Sequence, residues 1–171
     1  PATPNTTTGG LHYWVKDQNE WNINGIPFNH KNFVEYLEYG MYYGRGGRFG
    51  TRTKWLFGSS AYMTQIESWG HDLVRLVPSD EVLGLKVKKI QTTHGDVMLV
   101  DHPLFEGGLR DKAFLVDMNH VRYVYHQGRD TQLRRDIGTP STDGKTHEIL
   151  TDCGLEVTLP LAHGFLDGLS A

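Results

Sequence analysis

The stretch KTHEILTDCGLEVTLPLAHGFLDGL, residues 145–169, decides how the rest of the chain is read. A turn signal, Ser141-Thr142-Asp143-Gly144, precedes it. Behind that turn, Ile149, Thr151, Cys153, Leu155, Val157 and Leu159 share one face of an extended chain. Glu148, Leu150, Asp152, Gly154, Glu156 and Thr158 share the other. Apart from Leu150, that alternation predicts a half-buried strand. Pro160 ends its ladder because proline brings no N–H to pair. Ala162-His163-Gly164-Phe165-Leu166 follows as a short apolar tail. This closing strand is expected to complete a sheet whose other members lie upstream.

Upstream, Leu11-His12-Tyr13-Trp14-Val15 is aromatic and β-branched, so a short strand or extended anchor is expected there. Asn29 is a good N-cap, and Phe33, Leu37 and Met41 behind it recur at four-residue spacing, with Val34 beside them. The spacing predicts a helix from about His30, closed by Gly40 or Gly44. Lys54-Trp55-Leu56-Phe57 predicts a compact strand bounded by Gly58. Ser59 or Ser60 caps a second helix, in which Tyr62, Met63, Ile66 and Trp69 carry the apolar spacing. Leu73 to Val77 reads as a strand closed by Pro78. A hairpin is expected around His94-Gly95-Asp96, with a bulge or a change of environment at Ile90. Ala113 to Val116 is a buried strand, Asp117-Met118-Asn119 a turn, and Val121, Tyr123 and Tyr125 alternate beyond it. Strand and helix signals mix without a regular β-α-β repeat. The predicted fold class is therefore α+β, an irregular, mostly antiparallel sheet with two or three packed helices.

The chain of 171 residues is long enough to bury one sizeable core. Its net charge of −3 argues against an electrostatic nucleic-acid coat, which carries a strong basic excess. No apolar run approaches the roughly 20 residues that span a bilayer, so no membrane partner is expected. Cys153 is the single cysteine, which excludes an intrachain disulfide and fits a reducing cytoplasm. The chain opens at Pro1 with a polar PATPNTTT run and no Met or leader pattern, as a linker or processed end would.

Reactive chemistry finds little support. The nine histidines show no zinc-like spacing, and His120 and His126 are too far apart along a strand for one ion, so no metal or other cofactor is expected. Ser59 and Ser60 sit between strand and helix, where a nucleophile elbow would sit, but the second glycine of G-x-S-x-G is missing. A small serine hydrolase is therefore the weaker alternative to a helix cap. The glycine-rich loop from Gly44 to Gly50, with Arg45 and Arg48, could touch an anion, but no Walker lysine follows. A nucleic-acid or carbohydrate-binding module using Trp14, Trp21 and Trp55 with that loop is the second alternative. Cys153 is expected to be a buried, inert thiol. Arg129, Arg134 and Arg135 alternate with Asp130 and Asp136, which suits either salt bridges to a neighbouring copy or a solvated face.

A resemblance organises these signals. Glu148, Leu150, Thr151, Gly154, Leu155, Glu156 and Val157, then Ala162, His163, Gly164, Leu166, Gly168 and Leu169, resemble the closing pattern of tailed-phage major capsid proteins of the Hong Kong 97 type. Gly9-Gly10-Leu11, the step Leu56-Phe57-Gly58-Ser59, the run from Leu83 through Val100, Leu115-Val116-Asp117-Met118 and Arg129 to Arg134 are similar to further blocks of that family. The resemblance implies a non-enzymatic structural protein of a phage or prophage head, made in the bacterial cytoplasm and resident in the virion capsid. It implies a capsid axial domain with part of the peripheral domain, roughly the second half of a subunit, since no long spine helix is present. The expected division is a linker over 1–10, the axial domain over 11–144 and returning strands over 145–171. The implied partners are copies of itself in pentamers and hexamers, other head proteins, and packaged DNA only non-specifically. The candidate subunit contacts are Tyr42, Tyr43, Arg45, Arg48 and Phe49, then Arg110 in the loop from Asp101 to Asp111, and Arg129, Arg134 and Arg135.

Overall fold

The computed structural model describes residues 10–15, 19–44, 52–70, 76–78, 87–135, 137 and 144–169. Helix α1 (Leu11–Val15) leads into strand β1 (Glu20–Asn22), helix α2 (His30–Gly40), strand β2 (Thr53–Gly58) and helix α3 (Ser60–Gly70). Strands β3 (Leu76–Pro78), β4 (Val87–Gln91), β5 (Asp96–Asp101) and β6 (Lys112–Val116) follow. The chain ends through β7 (Val121–Tyr125), β8 (Gln132–Arg134), β9 (Glu148–Leu150), β10 (Cys153–Val157) and β11 (Gly164–Asp167). Seven strands form one sheet in the order β1-β11-β6-β2-β5-β4-β3. Only β1 with β11 and β2 with β5 run parallel. The protein is thus α+β, a mixed and mostly antiparallel sheet with three α-helices among the described residues.

Helices α2 and α3 cover one face of the sheet. Asn29 caps α2 by accepting from the Asn32 N–H at 3.0 Å, and Phe33, Leu37 and Met41 face inward as their spacing requires. The helix stops at Gly40, with Met41 as its C-cap residue. Ser59, not Ser60, caps α3: its Oγ accepts from the Tyr62 N–H at 3.4 Å. The sheet answers with alternate residues. Leu56, Leu99 and Leu115 stand side by side, because Leu56 pairs with both of the others across the ladders. They join Phe33, Leu37, Tyr62 and Ile66 in one core, with Phe28, Phe33 and Trp69 in mutual ring contact.

Several expectations need correction. Leu11–Val15 is a single helical turn, not a strand. Winding it buries Val15 and sets His12 against Phe165 at 4.4 Å, a placement that alternation cannot achieve. Strand propensity here yields to packing. Strand β4 pairs β5 in regular register from Val87↔Val100 to Gln91↔Asp96, so no bulge interrupts it at Ile90. Of the strand expected from Leu73, only residues 76–78 are described, and residues 83–86 of the expected hairpin lie outside the described residues.

The largest correction concerns the closing stretch. It is two short strands, β9 and β10, broken at Thr151–Asp152, and neither belongs to the main sheet. Strand β10 pairs with β7, and β9 with β8. The supposed tail is the real sheet member: β11 lies between β1 and β6 with Gly164, Phe165 and Leu166 buried. Continuous burial on both faces removes the alternation by which a half-exposed strand announces itself.

Candidate subunit-contact surfaces

Strands β7 to β10 make one long two-stranded arm. Its base is closed by the Thr158 N–H donating to the His120 carbonyl at 3.0 Å. Midway, residues 126–131 oppose only Thr151 and Asp152, and a turn at Gly128 with φ +76° takes up the excess. The His126 N–H donates to the Asp152 carbonyl, and the Asp152 N–H to the Arg129 carbonyl, so the two halves remain joined across the bulge. One face of the inner half carries Val121, Tyr123 and Tyr125 opposite Val157, Leu155 and Cys153. This is the apolar face the sequence outlines, but it is not closed over. Tyr123 and Tyr125 are more than half exposed, and Ile149 further out is 72% exposed. Cys153 is exposed as well, contrary to expectation, at the start of β10 opposite the exposed Tyr125. The Tyr123 phenol is raised to about 12, first by its hydrogen bond with Cys153 and further by Asp130, to which its hydroxyl donates at 3.2 Å.

Two of the arm's arginines pair within the chain. Arg129 meets Asp152 at 2.9 Å across the bulge, and Arg134 meets Glu148 at 3.8 Å across the β8–β9 ladder. Arg135 is exposed beyond them. Arg110 sits elsewhere, on the exposed loop with Leu104 and Leu109. Its carbonyl accepts the Ser59 hydroxyl at 2.6 Å. That bond and the helix cap account for the Ser59 hydroxyl, which is 1% exposed, so the serine is a structural joint between α3 and this loop.

Tyr42 and Tyr43 do come together. Their rings meet edge to face at 4.9 Å just past α2, exposed to 60% and 42%. Tyr39, on the outer face of α2, adds a third exposed ring. Arg45, Arg48 and Phe49 lie outside the described residues.

Beneath this tyrosine turn is a buried polar cluster that the sequence reading did not single out. Lys54 on β2 is 1% exposed, and its ammonium donates to the carbonyls of Gly40, Tyr43 (2.8 Å) and Ala162. Two of those acceptors sit at the C-terminal end of α2 or just beyond it, where the helix dipole favours a cation. Burial pulls the Lys54 ammonium down to about 8, and the Asp117 carboxylate opposes that pull. Asp117 follows β6, is 2% exposed, and accepts from the Asn119 N–H and side-chain amide at 3.0 and 2.9 Å. His163, fully buried just before β11, accepts the Asp117 N–H at Nδ1 (3.2 Å). Its Nε2 is buried with no partner among the described residues. Burial, with Lys54 next, pushes its imidazole down to about 4, so it is neutral at pH 7. The signal was present: Lys54 shares the parity of Leu56 and Gly58, and so is a charge on the core face of its strand.

These features define a class: a protein whose exposed surfaces are apolar rings and a projecting arm, with its polar interior spent on holding elements together. Among the described residues, no group of histidine, cysteine or carboxylate side chains is placed to hold a metal ion. No helix of the described residues is long and apolar enough to cross a membrane. The family model of the SU10 major capsid protein matches residues 1–170, and the chain belongs to that family. It is a structural protein of a phage head, in a family whose members build the virion shell from copies of themselves. No curated protein matches the chain.

Proposed function

We propose that this chain is the axial domain, with part of the peripheral domain, of a capsid subunit of the Hong Kong 97 type. Copies meet about five- and six-fold axes in heterologous contacts, which close into rings when the rotation allows. Residues 11–144 supply the axial unit and 145–171 the returning strands, after a linker over 1–10. Synthesis is in the bacterial cytoplasm, the other partners are further head proteins, and packaged DNA is touched only non-specifically.

The arm carries this reading. A two-stranded ribbon alone in water is at best marginally stable. This one exposes Tyr123, Tyr125, Leu133 and Ile149, a surface that a neighbouring copy would cover. The tyrosine turn with Arg45, Arg48 and Phe49, the Arg110 loop, and Arg129, Arg134 and Arg135 supply the remaining contacts. Aromatic and arginine side chains are the types enriched where protein surfaces meet. The test is electron microscopy of particles made by the full-length protein carrying Tyr123→Ser with Tyr125→Ser, or Tyr42→Ala with Tyr43→Ala. The reading requires fewer closed shells in each case with the subunit still folded. Normal particle yield from both would overturn the contact assignment.

A further inference from the structure

Lys54, Asp117 and His163 come from three separate elements and meet in a buried cluster. Lys54 belongs to β2, Asp117 follows β6, and His163 precedes β11. The ammonium holds the end of α2 through Gly40, the tyrosine turn through Tyr43, and the approach to β11 through Ala162. The space is tight: a Cβ on Gly44, whose φ is +129°, would lie 2.5 Å from Asp117 Oδ2 and 3.5 Å from Lys54 Nζ. The side-chain amide of Asn19 also donates to the His163 and Leu161 carbonyls, so the same short segment is gripped from the β1 side. Residues 158–163 join β10 of the arm to β11, beside the turn of residues 117–120 that joins β6 to β7.

We propose that this cluster is an acid-operated latch: protonating His163 puts a second buried cation beside Lys54 and releases residues 160–163, and with them β11 and the arm, from the sheet. In the neutral state Nδ1 takes the Asp117 N–H, so the ring proton is on Nε2. Protonation must place a hydrogen on Nδ1, which faces that same N–H, and the bond is lost. The groups facing the imidazole are Lys54 from β2, Asp117 from the end of β6 and His120 from the turn after it. Lys54 and His120 oppose the proton, and only Asp117 favours it. On the α1 side, His12 lies against Phe165, two residues beyond. The depressed basicity of His163 agrees with this balance, and its Nε2 has no hydrogen-bond partner among the described residues to offset the cost of a charged ring. The latch is a property of the folded chain and does not depend on the capsid reading.

Trp21 reports on it, because its ring lies directly over Gly164, one residue past the histidine. The full chain labelled with 5-fluorotryptophan is followed by fluorine NMR from pH 7.5 to 3.5, beside His163→Gln, which keeps an acceptor but cannot titrate. In the wild type the Trp21 resonance is expected to move between pH 5 and 3.5, where the native imidazole takes its proton, while the Trp69 resonance, in the α2–α3 core, holds still. In His163→Gln the Trp21 resonance stays flat across that window. The proposal is overturned if Trp21 and Trp69 move together, or if the variant repeats the wild-type profile. Should the variant not fold, the wild-type His163 ring signal takes its place: a Trp21 shift that tracks the His163 titration supports the latch, and a His163 titration that leaves Trp21 unmoved removes it.

Discussion

The indole of Trp21 occupies the space that a side chain on Gly164 would need: a Cβ there would lie 2.5 Å from Trp21 Cζ3 and 2.6 Å from Cη2. The ring is also 3.0 Å from where a Cβ on Gly40 would lie, and it stacks on Tyr36 at 5.5 Å. One aromatic side chain thus fastens β1, α2 and β11 together. Gly164→Ala is expected to cost about 1–3 kcal/mol, as overpacking of a filled core does. The loss should appear as a lower urea midpoint with an altered near-ultraviolet dichroism from the displaced indole. An unchanged midpoint would contradict this packing.

Lys54→Met is expected to be costlier. It leaves the carbonyls of Gly40, Tyr43 and Ala162 without their donor and the Asp117 carboxylate without its nearby cation. Removing one member of a buried charged cluster costs about 3–5 kcal/mol. Equilibrium unfolding in urea at pH 7 checks this, and a loss below about 1 kcal/mol would mean that the cluster contributes little.

Stability should fall on acidification through His163. Its native value lies near 4, below the ordinary 6.5. Above pH 6.5 neither state holds the proton and the full contribution is present. Between 6.5 and 4 the unfolded chain takes a proton that the native one refuses, so stability falls by up to about 1.4 kcal/mol per pH unit. Below 4 both states carry it and the loss stops. Urea midpoints of wild type and His163→Gln across this window should differ by that slope, and parallel curves would refute the assignment.

Arg129→Glu separates folding from assembly. Arg129 and Asp152 are each about half exposed, so losing their pair should change subunit stability by no more than about 1 kcal/mol. If the arm meets neighbours, particle yield should fall far more than the melting temperature does. Equal effects on both would assign the residue to folding alone.

How much of this was readable beforehand depended on whether a segment alternates between two environments. Helix α2 was legible from Asn29 and the Phe33–Leu37–Met41 stripe, because one face meets the core and the other meets water. Strand β2 was legible for the same reason, although its Lys54 was overlooked as an ordinary strand residue. Strand β11 was not legible, since burial on both sides leaves no period to detect. The alternation of β10 was real but misassigned, because pattern shows which residues share a face and not whether that face is covered. Tyr42 and Tyr43 were expected only as candidate subunit contacts, and the exposure of their rings is a finding of the structure. The polar cluster beneath them was not foreseen, because its three side chains are 63 and 46 residues apart in order along the chain and meet only after the sheet has formed.

The parallel pairing of β1 with β11 bears on how a subunit is born. Among the described strands, residues 20–22 have β11 as their neighbour in the sheet, and it is made more than 140 positions later. Contacts of such long sequence separation form slowly, and unfinished chains with open strand edges invite wrong pairings. A growing chain therefore cannot complete this ladder until residues 164–167 have emerged.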